Sequence, residues 1–247
     1  MPVRKNYFEG AVAESYDRDS TDHFNQVYVG ATVDFLAGLA GDGAALELGI
    51  GTGRIALPLS ARGVPVQGID LSPDMVAQLR AKPGADAIAV TIGDFADTDV
   101  PGEFRLAYLV YNTIGNLTSQ DDQVACFVNV GRHLEPGGCF VVEVEVPPLR
   151  RLPPGETALP FMVTADRVGF DTIDVAAQQG VSHHYWVAGG QAKTFTMPYR
   201  YVWPAELDLM ARIGGMRLRE RWSDWQRRPF TSESMSHVSV WEKPEVP

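Results

Sequence analysis

Leu46-Glu47-Leu48-Gly49-Ile50-Gly51-Thr52-Gly53-Arg54 is the stretch on which the fold turns. The apolar run at 44–48 has the length of a short buried strand, and helical spacing resumes at 54–62. A chain that passes from strand to helix in so few residues needs positive φ angles, which glycine adopts without steric cost. The same turn lets the backbone approach a ligand closely and aims the N–H groups of the next helix at it. Gly51, Gly53 and Ala56 also satisfy the looser fingerprint of dinucleotide-binding domains, so the surroundings must decide which ligand the turn serves.

Working outward, residues 25–40 upstream place Val29, Val33, Leu36 and Leu39 on one side of a helix that Gly41-Asp42-Gly43 stops. Downstream, apolar runs at 64–69, 87–92, 105–110 and 139–146 alternate with helical patterns. One helix opens at Ser72-Pro73-Asp74, with Ser72 as N-cap, Pro73 at the first helical position and Asp74 at the positive end of the dipole. A longer helix covers 119–134, and Trp203-Pro204-Ala205-Glu206 opens another that ends at Gly214-Gly215, before strands at 216–222 and 238–241. Strands that alternate with helices pair in parallel through right-handed crossovers, with helices on both faces. The expected fold is α/β, a doubly wound, seven-stranded, mostly parallel sheet.

That rhythm breaks after Val146. Pro147, Pro148, Pro153, Pro154 and Pro160 mark a linker, and β-rich runs follow at 161–170, 181–187 and 194–202, with Gly189-Gly190 as a hairpin turn. An antiparallel β insertion after the fifth strand would sit over the carboxyl ends of the parallel strands, where ligands bind in such sheets. The chain divides accordingly into 1–146, an N-terminal helical lid and the nucleotide-type core; 147–203, the insertion; and 204–247, the final helix and two closing strands of the core sheet.

The second strand ends in Gly68-Ile69-Asp70, about twenty residues after the glycines, where a carboxylate can accept from ribose hydroxyls. Gly93-Asp94-Phe95 follows the third strand, offering a carboxylate to an adenine amino group and a ring to its face, and His133-Leu134-Glu135-Pro136-Gly137-Gly138 precedes the fifth. In order and spacing over about residues 10–146, Glu47 to Gly53, Asp70, Gly93-Asp94-Phe95 and Leu134 to Gly138 resemble the class I S-adenosylmethionine-dependent methyltransferase family, whose core is Rossmann-like. The resemblance implies S-adenosylmethionine as cofactor and carries roles onto particular residues. Gly49, Gly51 and Gly53 would line its methionine end, with Glu47 supporting that loop or meeting the amino group. Asp70 would bind the ribose, with Leu71 beside it. Met75 would pack near the adenine, Asp94 and Phe95 on its other edge, and Tyr111 and Asn112 would contact the cofactor from the end of the fourth strand. Ser15-Tyr16-Asp17 resembles the Tyr-Asp pair of an N-terminal lid, which makes Tyr16 a cap for the cofactor carboxylate. The layout also resembles amino-sugar N-methyltransferases of antibiotic pathways, in which a β insertion roofs the site.

The acceptor side carries no such motif. Methyl transfer is an in-line displacement at a sulfonium carbon, so the enzyme chiefly positions the reactants, and a base is needed only where the acceptor must lose a proton. Asn116, Glu145 and His183 are the candidate catalytic residues, for an N or O atom of a small-molecule acceptor. His183 and His184 are neighbours on a strand, so at most one faces a pocket. With Asp166, Asp171 and Asp174 they match no metal-ligand spacing, and no metal is expected. The aromatics Tyr185, Trp186, Phe195, Tyr199, Tyr201 and Trp203 suit an apolar acceptor wall or the core of a small sheet, and the insertion suits a lid or a homodimer interface.

Composition narrows the class further. The 247 residues suffice for one α/β domain with an insertion, and the net charge of −10 disfavours nucleic acid and anionic membranes as partners. The run Arg217, Arg219, Arg221, Arg227, Arg228 is broken by Glu220 and Asp224 and reads as a solvated edge. Two cysteines, Cys126 and Cys139, are too few for a disulfide framework and read as small core residues; with no signal-peptide pattern, a cytoplasmic enzyme is expected. Two other readings stand beside this one. One is an NAD-dependent oxidoreductase, which the absence of any Tyr-x-x-x-Lys pair weakens; the other is a noncatalytic S-adenosylmethionine-binding protein on the same fold.

Overall fold

In the computed structural model, which describes residues 5–19 and 25–245, β1 (Ala45–Leu48) is buried along its whole length and takes a parallel neighbour on each side. On one side lie β2 (Val66–Asp70) and β3 (Ala89–Ile92); on the other lie β4 (Phe104–Leu109) and β5 (Leu134–Glu145). The inner strands are buried on both faces, so apolar residues dominate them and a polar one such as Glu47 is hydrogen-bonded, whereas β3 at the sheet edge is partly exposed. β11 (Ser236–Glu242) pairs antiparallel with both β5 and β10 (Arg217–Trp222), giving the order β10-β11-β5-β4-β1-β2-β3.

From Leu106 onward, alternation along β4 sorts the core into two layers, and the irregularity between Phe104 and Leu106 puts Phe104 in the layer of Ala107 and Leu109. Phe104, Ala107 and Leu109 join Phe127, Phe140 and Trp241 beneath α5 (Gln120–His133) and α6 (Pro204–Ile213). Leu106 and Tyr108 join Val33, Phe35, Leu36 and Leu59 beneath α2 (Gln26–Ala40) and α3 (Ala56–Ser60). The doubly wound, mostly parallel sheet expected from the sequence is the sheet observed. α3 is shorter than the periodicity at 54–62 implies. β5 already begins at Leu134, with Gly137 at φ 77° inside it. Cys126 and Cys139 are buried, and neither is disulfide-bonded. His133 is structural: its Nε2 accepts from the Val100 N–H at 3.1 Å, while Nδ1 lies 2.8 Å from the Asn129 carbonyl. The arginine run is less solvated than expected, because Arg221 pairs with Asp208 at 2.7 Å and Arg227 stacks over Phe35 at 4.5 Å.

The insertion is a separate antiparallel sheet of four strands, β6 (Ala158–Val163), β7 (Arg167–Asp174), β8 (Gln179–Ala188) and β9 (Gln191–Arg200). The single run read at 161–170 is the end of β6, a turn and the start of β7. Thr164 makes that turn by accepting from the Arg167 N–H at 3.0 Å and bonding to Asp166 at 2.9 Å, with neither glycine nor proline to announce it. Gly189 and Gly190, at φ 59° and 75°, form the two-residue hairpin expected between β8 and β9. Two buried side chains bolt this sheet to the core. Gln123 donates to the carbonyls of Ile114 and Arg200, and Arg200 reaches Gln123 at 2.5 Å and Glu206 at 2.7 Å. α4 (Pro73–Arg80) starts as expected, with the Met75 N–H donating to Ser72 Oγ at 3.2 Å. α1 (Ala11–Asp19) rests against it. No helix among the described residues is long and apolar enough to cross a membrane. The N-terminal residues 1–4, read above for targeting, lie outside the described residues.

Candidate active site

The carboxyl ends of β1, β2 and β4 open into one cleft of about 1010 Å3 including its mouth. Its floor is the glycine turn. Gly49 and Ile50 donate to the Ile69 carbonyl at 2.8 and 3.0 Å, which ties the turn to the end of β2. Gly51 stands at φ 55° and its N–H donates to Asp70 Oδ2 at 2.6 Å. The Ser72 N–H donates to Asp70 Oδ1 at 2.8 Å, so each carboxylate oxygen has one backbone partner and a lone pair to spare. Burial raises the Asp70 carboxyl pKa and these two bonds oppose it.

On one wall lie Leu71, Met75, Asp94 and Phe95. Asp94 is oriented by accepting from the Ala96 N–H at 3.0 Å. On the other wall lie Val110, Tyr111 and Thr113. Glu47 sits fully buried at the back, taking a bond from the Tyr108 hydroxyl at 2.9 Å. Burial pushes its pKa up to about 8, against the opposing pull of Tyr108 and Arg54. Tyr16 comes from α1, with its hydroxyl pKa raised by burial. Its helix is pinned over the cleft because Asp17 accepts from Thr52 Oγ1 at 2.6 Å and pairs with Lys82, and Ser72 Oγ donates to the Phe8 carbonyl at 2.5 Å.

Of the acceptor-side candidates, Asn116 lines the cleft, from the 3-10 turn after β4, and Met197 and Pro198 of β9 hang opposite. Gly53, Asn112, Glu145 and His183 are not among the lining residues. Gly53, at φ 78°, leaves room for Leu79, and a Cβ there would collide with it. The side-chain oxygen of Asn112 accepts from the Glu145 N–H at 2.7 Å, so it fastens β4 to β5. Glu145 stands at the foot of the insertion, its pKa raised by burial, with Asn112 pulling the other way and Asp171 adding to the rise. The His183 Nε2 bonds Thr172 at 3.1 Å and its ring stacks on Phe170 at 4.8 Å, within sheet B. None of the aromatics expected as an acceptor wall is among the lining residues: Tyr201 packs edge-on against Trp203 at 6.5 Å, Tyr185 stacks on Phe170 at 6.0 Å and Phe195 meets His184 at 5.9 Å.

Sequence reading missed two groups of lining residues. Arg54 closes the glycine stretch and lies between the rings of Tyr28 and Tyr111, at 5.7 and 5.4 Å. Its signal was available: a cation next to a glycine turn that expects an anion. Asn6, Tyr7, Met197 and Pro198 also line the cleft, but only the tertiary fold brings them there.

Residues 45–138 match a family model described as a methyltransferase domain. The structure of the CcbJ methyltransferase from Streptomyces caelestis is 34% identical and superposes with a TM-score of 0.87 over 97% of this chain and 98% of that one. The cypemycin N-terminal methyltransferase of a Streptomyces species is 27% identical over 202 residues, 80% of this chain and 82% of the relative. The S-adenosylmethionine-bound amino pentose methyltransferase CalS10 from Micromonospora echinaspora is 19% identical, with a TM-score of 0.71 over 98% of this chain and 100% of that one, a likeness of fold.

Proposed function

The chain belongs to the S-adenosylmethionine-dependent methyltransferase family, and on that premise we propose that the cleft holds the cofactor against the glycine turn and methylates a nitrogen of a small-molecule acceptor beneath the β insertion. The cofactor supplies a methyl group on a sulfonium, displaced in line by the acceptor. The observation that carries the cofactor assignment is the bond from the Gly51 N–H to Asp70, which fixes a carboxylate with spare lone pairs beside an exposed backbone turn. Asp70 then receives the ribose hydroxyls, and Leu71, Met75, Asp94 and Phe95 hold the adenine. Gly49 and Gly51 admit the methionine end, where a side chain at Gly49 would strike Thr113 at 2.8 Å. Arg54 offers a cation to the cofactor carboxylate, Tyr16 caps it, and Glu47 faces the amino group.

Asn116, Met197 and Pro198 mark the acceptor's side of the cleft, so the insertion acts as a roof. An amine reaches neutral water as an ammonium ion and must shed a proton before it can attack. Of the three candidates only Asn116 lines the cleft, so we assign it to orient the amine; Glu145 lies outside the lining and would reach the proton only through water, and His183 is held inside sheet B and is set aside. The N-methyl assignment draws on the relative named as an N-terminal methyltransferase and on the amino pentose enzyme of the same fold. A cytoplasmic enzyme agrees with two buried cysteines that are not disulfide-bonded. A homodimer would use the outer face of sheet B, where Val163 and Val187 are exposed, and light scattering reads it directly. The deciding experiment is a thermal-shift and turnover screen. S-adenosylmethionine and S-adenosylhomocysteine should raise Tm where NAD does not, and primary or secondary amines should be methylated. Turnover confined to alcohols would discard the amine, and stabilisation by NAD alone would discard the cofactor assignment.

A further inference from the structure

Tyr111 and Asn112 both stand at φ 58°, two consecutive side-chain-bearing residues in the left-handed region. A bulky residue is rarely found there, and such a conformation persists only where its surroundings hold it. The holding group is on β5. The Tyr111 N–H donates to Glu143 Oε2 at 2.9 Å, and the Asn112 N–H donates to the Glu143 carbonyl at 3.2 Å. Glu143 is fixed in turn by donors from two distant parts of the chain. Tyr28 of α2 donates its hydroxyl to Oε1, and Trp225, from the loop between β10 and β11, donates its Nε1–H to the same oxygen at 3.1 Å. Trp225 Nε1 also lies 3.2 Å from the Tyr28 hydroxyl. All three donors meet an acceptor-only carboxylate, and neither the backbone N–H nor the indole N–H can accept in exchange.

We propose that Glu143 is a positioning residue of the cofactor site: its carboxylate holds the left-handed Tyr111–Asn112 turn so that the Tyr111 ring stays against Arg54 at the cleft wall. Glu143 does not itself line the cleft. It acts through Tyr111, whose ring lies 5.4 Å from the Arg54 guanidinium, and through that pair on whatever anion Arg54 meets. The reading rests on the cofactor assignment above, and the two fail separately: loss of S-adenosylhomocysteine binding by the wild-type protein would sink that assignment, whereas the variants below address Glu143 alone.

Glu143→Gln keeps the shape and presents an amide N–H2 to one of the donors. By calorimetry at 20 °C, well below Tm, it should bind S-adenosylhomocysteine at least tenfold more weakly. Hydrogen exchange should quicken in the peptide containing Tyr111 and not in those of β1 and β2. The double variant Tyr28→Phe, Trp225→Phe leaves the carboxylate but removes the donors that aim it, and should bind three- to tenfold more weakly. A merely structural Glu143 would lower Tm and leave the affinity of the folded protein unchanged. Affinity within twofold of wild type in either folded variant overturns the proposal, and the double variant decides alone should Glu143→Gln not fold.

Discussion

In the seven-stranded sheet, three polar side chains at strand ends hold the cleft by accepting from backbone; in the four-stranded roof, backbone-bonded side chains such as Thr164 and Asp174 close turns, and those within the strands pair with one another. Asp70 takes N–H groups from Gly51 and Ser72, Asn112 takes one from Glu145, and Glu143 takes one from Tyr111. In the roof, Thr172 meets His183 and Ser182 meets His184. Where the partners are close in the chain, as Asp70 and Ser72 are, such a bond leaves a fixed spacing in the sequence. A cross-strand pair depends on how the strands are aligned, and many sequences satisfy that. Asp70 is therefore specified by its neighbours in the chain, whereas Asn112 and Glu143, like the paired side chains of the roof, depend on the assembled fold.

Acid separates the two sheets most visibly. His237 in β11 is fully buried, and burial with Arg221 nearby pushes its pKa down to about 3. Since the folded value lies below the unfolded 6.5, the stability it confers is complete above pH 6.5 and is lost as pH falls towards 3. The loss is on the order of 4 kcal/mol. Unfolding measured across that window should lose most of this slope in His237→Asn. The comparison breaks next at the joint. Arg200→Ala takes the cation from buried Gln123 and from half-buried Glu206, which keeps bonds from Gln120 and Gln178, and should cost about 1–3 kcal/mol in urea unfolding. A loss under 1 kcal/mol would mean that the roof is held by apolar contact alone.

Asp70→Ala should weaken S-adenosylhomocysteine binding by about 1.5–3 kcal/mol in calorimetry, the worth of charge-assisted hydrogen bonds, without unfolding the protein. Unchanged affinity would move the ribose contact elsewhere. The smallest effect on the cofactor is expected from Met197→Ala. Cofactor affinity should stay within about 0.5 kcal/mol, the usual tolerance away from buried networks, while acceptor KM rises several-fold. If cofactor affinity weakens as acceptor KM rises, roof and floor act as one site.

What could be read in advance follows the same division. The glycine turn, Asp70 and Gly93-Asp94-Phe95 were visible because each answers a local constraint on φ or on a strand end. Asn116 was visible as the residue just past β4. Arg54 is legible as a cation beside the turn, but its place between Tyr28 and Tyr111 is set by the tertiary fold. Glu143 was invisible, because its donors come from residues 28, 111 and 225. In the insertion, Gly189-Gly190 announced one hairpin. The turn at Thr164 hid inside a β-rich run because side-chain hydroxyl bonds, rather than glycine, close it. Glu145 and His183 were named from strand position alone, which gives a face and no neighbours.

The placement of β11 has a consequence for synthesis. It is the last strand in chain order, yet it lies between β5 and β10 rather than at an edge. As the chain emerges, β1 to β5 can pair in sequence, while β5 waits with one flank of N–H and C=O groups open. β10 cannot shield it, because β10 has no partner until β11 arrives. The nascent protein thus carries an unfinished sheet edge until Ser236–Glu242 is made, and that interval is when binding by a chaperone, or mispairing with another chain, has its opportunity.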